Sequence, residues 1–136
     1  MGIGNRIIQE KHEALAVLSS SALSGGALDD LLNEAVQLVA HILQTPYCKI
    51  IERIPCLPSD KCLLLRAVIG WSPELESQVF NQGDKPHAAY TLELLKPVVV
   101  DDINQETRFQ PAPLHRAYNI ISGASVVIFG NESAPL

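Results

Sequence analysis

Leu28-Asp29-Asp30-Leu31-Leu32-Asn33-Glu34-Ala35-Val36-Gln37-Leu38-Val39-Ala40-His41-Ile42-Leu43 carries apolar residues at offsets 0, 3, 4, 7, 8, 11, 12 and 15 from its first leucine. That is the full i, i+3, i+4, i+7 series of an amphipathic helix. Asp30, Asn33, Glu34, Gln37, His41 and Gln44 take the wet face, which makes His41 a solvated residue rather than a ligand. Asp29 and Asp30 suit the positive end of the helix, Ser24-Gly25-Gly26 supplies a turn and a candidate N-cap before them, and Pro46 ends it. The chain then changes character. Tyr47 to Ile54 and Lys61 to Ile69 are aliphatic and β-branched, and the prolines at 55 and 58 forbid regular pairing between them, so the pattern predicts a hairpin with a ragged loop. In its second strand Leu63, Leu65, Ala67 and Ile69 form the core face, with Cys62, Leu64, Arg66 and Val68 opposite.

Upstream, Asn5 to Ala22 reads as a helix with a narrow stripe of Ile8, Leu15, Leu18 and Ala22, broken by Lys11. A narrow stripe suits a two-helix seam, so residues 1–22 are expected to form a signalling or dimerisation helix and residues 23–136 the domain proper; a helix lying on its own domain is the alternative. Downstream, Gly70-Trp71-Ser72-Pro73 closes the hairpin and a polar segment with a turn at Gly83-Asp84-Lys85 runs to Pro86. His87 to Leu95 has helical spacing, Val98 to Val100 is a short strand ending in Asp101-Asp102, Pro111 to Asn119 is a short helix, and Ala124 to Phe129 is a last strand. Without regular crossover helices after each strand, the order is α+β with a mainly antiparallel sheet.

The 136 residues are 47% hydrophobic and 18% charged, enough apolar material for one packed domain and too little charge for a disordered tail. The net charge of −5 and the lack of any Lys/Arg run argue against nucleic acid and anionic lipid as partners. No stretch reaches the ~18 apolar residues of a membrane span, and Met1 to Glu10 does not have the layout of a secretory signal, so a cytoplasmic location is expected. Cys48, Cys56 and Cys62 fit neither a zinc knuckle nor a redox CxxC, and three reduced, partly buried thiols are expected.

Four blocks resemble the second half of a GAF domain: Ala89-Tyr90-Thr91-Leu92, Lys96 to Asp102, Glu106-Thr107-Arg108-Phe109, and Ile121 to Ile128. The type is that found in bacterial sensor histidine kinases and diguanylate cyclases. The helix from Leu28 and its hairpin are similar to the first half, so the resemblance covers about Leu23 to Leu136. It implies an antiparallel sheet with helices on one face and a pocket on the other, in which the family binds cyclic nucleotides, bilins, haem or small metabolites, or nothing. It also implies two further strands and a last helix after Gly130 to Leu136, so the domain is expected to be incomplete and its sheet edges unpaired.

By the same resemblance the pocket candidates are Trp71, Phe80, Tyr90, Asp102, Arg108, Phe109, His115 and Tyr118. Trp71 or Tyr90 would stack on a ligand, Arg108 would pair with a carboxylate or phosphate, and His115 would donate a hydrogen bond. The alternative for each is structural: Trp71 and Tyr118 as core, Arg108 tying its loop through an ion pair, His115 as an exposed helix residue, and Asp101-Asp102 as loop anchors. The helix from Pro111 to Asn119 has no Cys where bilin-binding members attach their pigment, so no covalent bilin is expected, and the cofactor is otherwise undetermined. These features imply a regulatory sensory domain that is not itself an enzyme, with a small-molecule ligand, a homodimer through the first helix and an output kinase or cyclase as partners. The alternatives are a ligand-free dimerisation module, a fragment, or a GAF-type reductase of free methionine sulfoxide using a cysteine thiolate.

Overall fold

The computed structural model describes residues 2–56, 62–75, 78–81 and 86–130, with the side chains of Phe80 and Asn81 outside that description. The elements are α1 (Gly2–Leu23), α2 (Leu28–Leu43), β1 (Cys48–Ile54), β2 (Cys62–Ile69), a 3-10 turn (Pro73–Leu75), β3 (Val79–Asn81), α3 (His87–Leu94), β4 (Val98–Val100), α4 (Pro113–Ala117) and β5 (Gly123–Ser125). This is the α+β arrangement expected. The packing divides into two units, Met1–Glu52 with Leu64–Val79 and Arg53–Leu63 with Phe80–Leu136.

In the first unit, α2 begins at the predicted leucine and ends on Gln44, which takes a left-handed conformation and lets its N–H close on Ala40 and His41 carbonyls. Ala27 rather than Ser24 stands at the N-cap, without a side-chain bond. α1 packs on α2 through Ala14, whose methyl is small enough for close approach. Of the expected seam residues, Ile8, Leu15 and Ala22 are exposed and Leu18 is half-buried, while Glu10, Ala14 and Val17 line the cleft beside α2.

β1, β2 and β3 form a sheet in that order. Leu63, Leu65 and Ala67 are buried as the period-two pattern demands. Arg66, on the other face, donates to the carboxylates of Glu52 on β1 and Asp29 in the first turn of α2, tying helix to sheet. β3 is an element the sequence reading missed: the polar stretch after Trp71 pairs with β2, Leu65 N–H donating to the Gln78 carbonyl at 3.0 Å. The turn expected at Gly83-Asp84-Lys85 lies outside the described residues. Gly70 has φ +88°, and a Cβ there would lie 1.9 Å from the Pro46 carbonyl oxygen and 2.7 Å from Cδ1 of Tyr47. Only glycine permits β2 to turn so close to the entry of β1.

In the second unit, the expectation of three reduced thiols is corrected. Cys56 and Cys62 form a disulfide, and Cys48 alone is free. The hairpin explains the pairing: one cysteine follows β1, the other starts β2, and the mouth of the loop holds their Cα atoms 5.7 Å apart. β4 and β5 pair antiparallel with Val98 opposite Ser125, Val99 opposite Ala124 and Val100 opposite Gly123. The last strand, expected to reach Phe129, stops at Ser125 because β4 starts at Val98, just after Pro97, and offers no further ladder partner. Val98, Val100, Ile103 and Phe109 form the core of this unit, with Tyr90 packed against it.

Candidate functional site

The second unit concentrates its polar chemistry at one ladder pair. His87 and Thr91 stand one turn apart on α3 and are both buried. The His87 Nε2 lies 2.8 Å from Ser125 Oγ and 3.4 Å from the Val98 carbonyl oxygen, so it meets both members of the Val98–Ser125 pair. Thr91 donates its hydroxyl hydrogen to the His87 carbonyl at 2.9 Å, and its Oγ1 also meets Ser125 Oγ at 2.5 Å. Counting hydrogens assigns the rest. With Thr91 already donating, Ser125 must donate to Thr91, and Ser125 Oγ then accepts from His87 Nε2–H. Imidazole is therefore donor, not base, toward this serine. A one-residue slip of β5 would put Ala124 or Val126 in place of Ser125 and leave these groups without it.

An aromatic layer covers the network. The His87 ring stacks on Phe109 at 4.7 Å with 4° between planes, and Tyr90 tilts against Phe109 at 5.6 Å. The Arg108 guanidinium carbon sits 6.0 Å from the centre of each of the Tyr90 and Phe109 rings. Arg108 is also held from below and behind: Nη2 donates to the Val99 carbonyl at 2.7 Å, and Nε and Nη2 grip the two carboxylate oxygens of Glu106 at 2.9 and 2.7 Å. Glu106 Oε1 accepts the backbone N–H groups of Thr107 and Arg108 as well. The guanidinium first, and these amides with it, hold the Glu106 carboxyl down at about 2. Any anion that takes Arg108 must compete with that fork.

Three of the sequence candidates, Tyr90, Arg108 and Phe109, thus come together around His87. Asp102 acts as the loop anchor foreseen for it, accepting the Asn104 N–H at 2.9 Å. His115 is buried rather than exposed, since α4 lays it inward and its backbone closes turns to Ala112 and Ile120. Tyr118 caps α4 and is half-buried. Trp71 belongs to the first unit, where it is buried against Tyr47 with ring centres 5.0 Å apart and carries the Lys49 ammonium 5.2 Å above its ring. Phe80 lies in β3 with its side chain outside the described part. His87, Thr91 and Ser125 were missed; their signal was a His and a Thr four apart at the start of a helix, legible only once the pairing of a distant serine is known.

A separate cleft of about 220 Å³ opens between α1 and α2, lined by Glu10, Glu13, Ala14, Val17, Leu38, His41 and Ile42. Its carboxylates have partners of their own, Arg6 for Glu10 and Gln9 for Glu13. Among the described residues no group of three or more His, Cys, Asp or Glu side chains is placed to hold a metal ion, and no helix is long and apolar enough to cross a membrane.

Solved structures share this fold. The GAF domain of a phosphoenolpyruvate-protein phosphotransferase (ptsP) from Coxiella burnetii matches with a TM-score of 0.73 at 13% identity, over 92% of this chain and 73% of that one. The GAF domain of an Acinetobacter phosphoenolpyruvate-protein phosphotransferase gives 0.67 at 16% identity, over 91% and 77%. The nlh2 GAF domain of A. aeolicus, in an inactive state, gives 0.70 at 9% identity, over 95% and 76%. No protein-family profile and no curated protein matches the sequence. The fold is that of GAF domains, and at these identities the likeness is one of fold.

Proposed function

We propose, from the GAF fold and the buried His87–Ser125–Thr91 network beneath Tyr90, Phe109 and Arg108, that this chain is a regulatory sensory domain of a larger signalling protein. A small planar or anionic molecule binds beside the aromatic layer, and its occupancy is passed to an output kinase or cyclase. The observation that carries the reading is the preorganised cation: Arg108, its side chain 43% exposed, stands over two rings and is forked by a largely buried Glu106 carboxylate with which a ligand anion would compete. Control of output then requires the ligand to favour one of two arrangements of α1 over the other.

α1 is the relay in this reading. Ile3, Ile7, Ile8 and Leu15 are 80%, 43%, 54% and 62% exposed, an apolar load suited to the same helix of a second copy. Residues 1–22 act as the dimerisation helix and residues 23–136 as the sensory domain. The catalytic alternatives lose support from the chemistry. A reductase needs a thiolate, but burial first of all raises the Cys48 thiol, and the other two cysteines are joined. A serine nucleophile needs a base, and His87 donates to Ser125.

The test is thermal unfolding with a panel of small aromatic and carboxylate or phosphate metabolites. A ligand should raise Tm in proportion to RT ln(1 + [L]/Kd), and Arg108→Ala should remove the shift. If nothing in the panel moves Tm, yet replacing Ile8 and Leu15 with Glu turns a sedimenting dimer into a monomer, the structural dimerisation reading replaces the sensory one.

A further inference from the structure

The β1–β2 hairpin carries two side-chain cross-links in series. At its mouth Cys56 and Cys62 are joined. Further along, Glu52 of β1 takes Arg66 of β2, and the same guanidinium reaches Asp29 in the first turn of α2. Four residues separate Glu52 from Cys56 and four separate Cys62 from Arg66, and an even spacing along extended chain puts the disulfide and the ion pair on one face of the ribbon. The two sulfurs are unequally placed. Cys62 is 8% exposed while Cys56 is half-buried, so a reagent reaches the bridge from the Cys56 side. Cys48, the remaining cysteine, opens β1 a strand's length of roughly 20 Å from the mouth, and burial pushes its thiol up, which keeps it out of exchange.

We infer that Cys56 and Cys62 form a reversible thiol–disulfide switch, closed by a small disulfide such as oxidised glutathione and opened by the matching thiol, which sets how firmly the hairpin holds α2 through Arg66. In the cytoplasmic setting that the sequence predicts, a disulfide persists only by exchange with the thiol pool, and its usual use there is redox sensing or catalysis. The fold builds in the proximity, since the strands hold the two Cα atoms 5.7 Å apart, within bridging range. Closure proceeds in two displacements. The Cys56 thiolate attacks one sulfur of oxidised glutathione, forming a mixed disulfide and expelling a glutathione thiolate; the Cys62 thiolate then attacks the Cys56 sulfur and expels the second. Two protein thiols thus give up two electrons and two protons, which leave on two glutathione thiols. In reverse, glutathione thiolate attacks Cys56 Sγ, Cys62 leaves as the thiolate and takes up a proton, and a second glutathione frees Cys56. With the bridge open the Glu52–Arg66 ion pair carries the cross-strand tie, while Asp29 draws on the same guanidinium.

The inference uses none of the residues of the proposed sensory site, so either can fail alone. The full chain is equilibrated in buffers of rising oxidised-to-reduced glutathione ratio, quenched with acid and alkylated, and its cysteines are read by peptide mass spectrometry. Cys56 and Cys62 should pass reversibly from dithiol to disulfide across that series while Cys48 stays alkylated throughout. Cys62→Ser should accumulate a glutathione adduct on Cys56, and Cys56→Ser should leave Cys62 without one. The closed chain should melt about 5–10 °C above the open one. Arg66→Ala should lower Tm about twice as far in the open chain as in the closed one, because the two cross-links hold the same strands. A bridge that stays closed in reduced glutathione alone is a fixed structural disulfide and overturns the inference. So does a pair that never closes, an adduct that forms on Cys62 rather than Cys56, or an Arg66→Ala loss equal in the two states.

Discussion

The two units hold their polar groups by opposite means. In the first, long elements leave room for charges at their margins: Arg66 spans from β2 to Glu52 and Asp29, and Lys49 rests on an indole. In the second, strands of three residues give little area to bury, and order comes from a ladder pair whose side chain and carbonyl meet one histidine. The lesson is that register can do in a short ribbon what helix length does elsewhere. A misplaced residue in α2 costs one contact, while a slip in β5 dismantles the whole polar network.

Perturbing each unit separately should expose the contrast. The largest effect is expected from Phe109→Ala, which removes both the core packing of the second unit and the ring on which His87 stacks; a loss of about 3–5 kcal/mol by urea unfolding is anticipated. In the first unit the most damaging small change should be Gly70→Ala, which forces a side chain into left-handed backbone against Pro46 and should cost about 2–3 kcal/mol with a change in Trp71 fluorescence. Lys49→Met should act in the opposite direction. The lysine's pKa is lowered in the folded state, from 10.5 to about 8, so folding is disfavoured below pH 8 and stability rises as pH climbs between the two values. The Met variant should be more stable at pH 7, on the order of 1 kcal/mol, and should lose that alkaline rise. The smallest effect belongs to the second unit at the acid end. Glu106 is depressed to about 2 in the fold, so its contribution is present above its ordinary range and disappears as pH falls through about 2. Glu106→Gln should flatten the acid limb of the stability curve, measured by thermal unfolding from pH 5 downward, without touching the alkaline one.

The parts legible in the sequence were those whose geometry is local. The eight apolar positions of α2 specify a helix whatever surrounds them, and Leu63, Leu65 and Ala67 bury as their alternation requires. α3 and β4 were readable because Pro86 and Pro97 bracket them. β3 and the true end of β5 were not, since a three-residue strand exists only if a partner strand lies beside it. In α1 composition named the apolar residues, but the small Ala14, outside that stripe, decides which side meets α2. The disulfide depended on the hairpin's mouth, which spacing alone does not show. At the site, Tyr90, Arg108 and Phe109 were found through short blocks of local sequence. His87, Thr91 and Ser125 required the β4–β5 register, 34 residues separating the threonine from the serine.

That register is the hinge of the account, and a double-mutant cycle between His87 and Ser125 measures it. His87→Ala, Ser125→Ala and the double variant are compared by equilibrium unfolding. If the imidazole donates to the serine as the ladder places it, the two losses will fall short of additivity by about 1 kcal/mol. Losses that simply add, within a few tenths of a kcal/mol, would mean the two side chains do not meet, and the site described in the second unit would not exist.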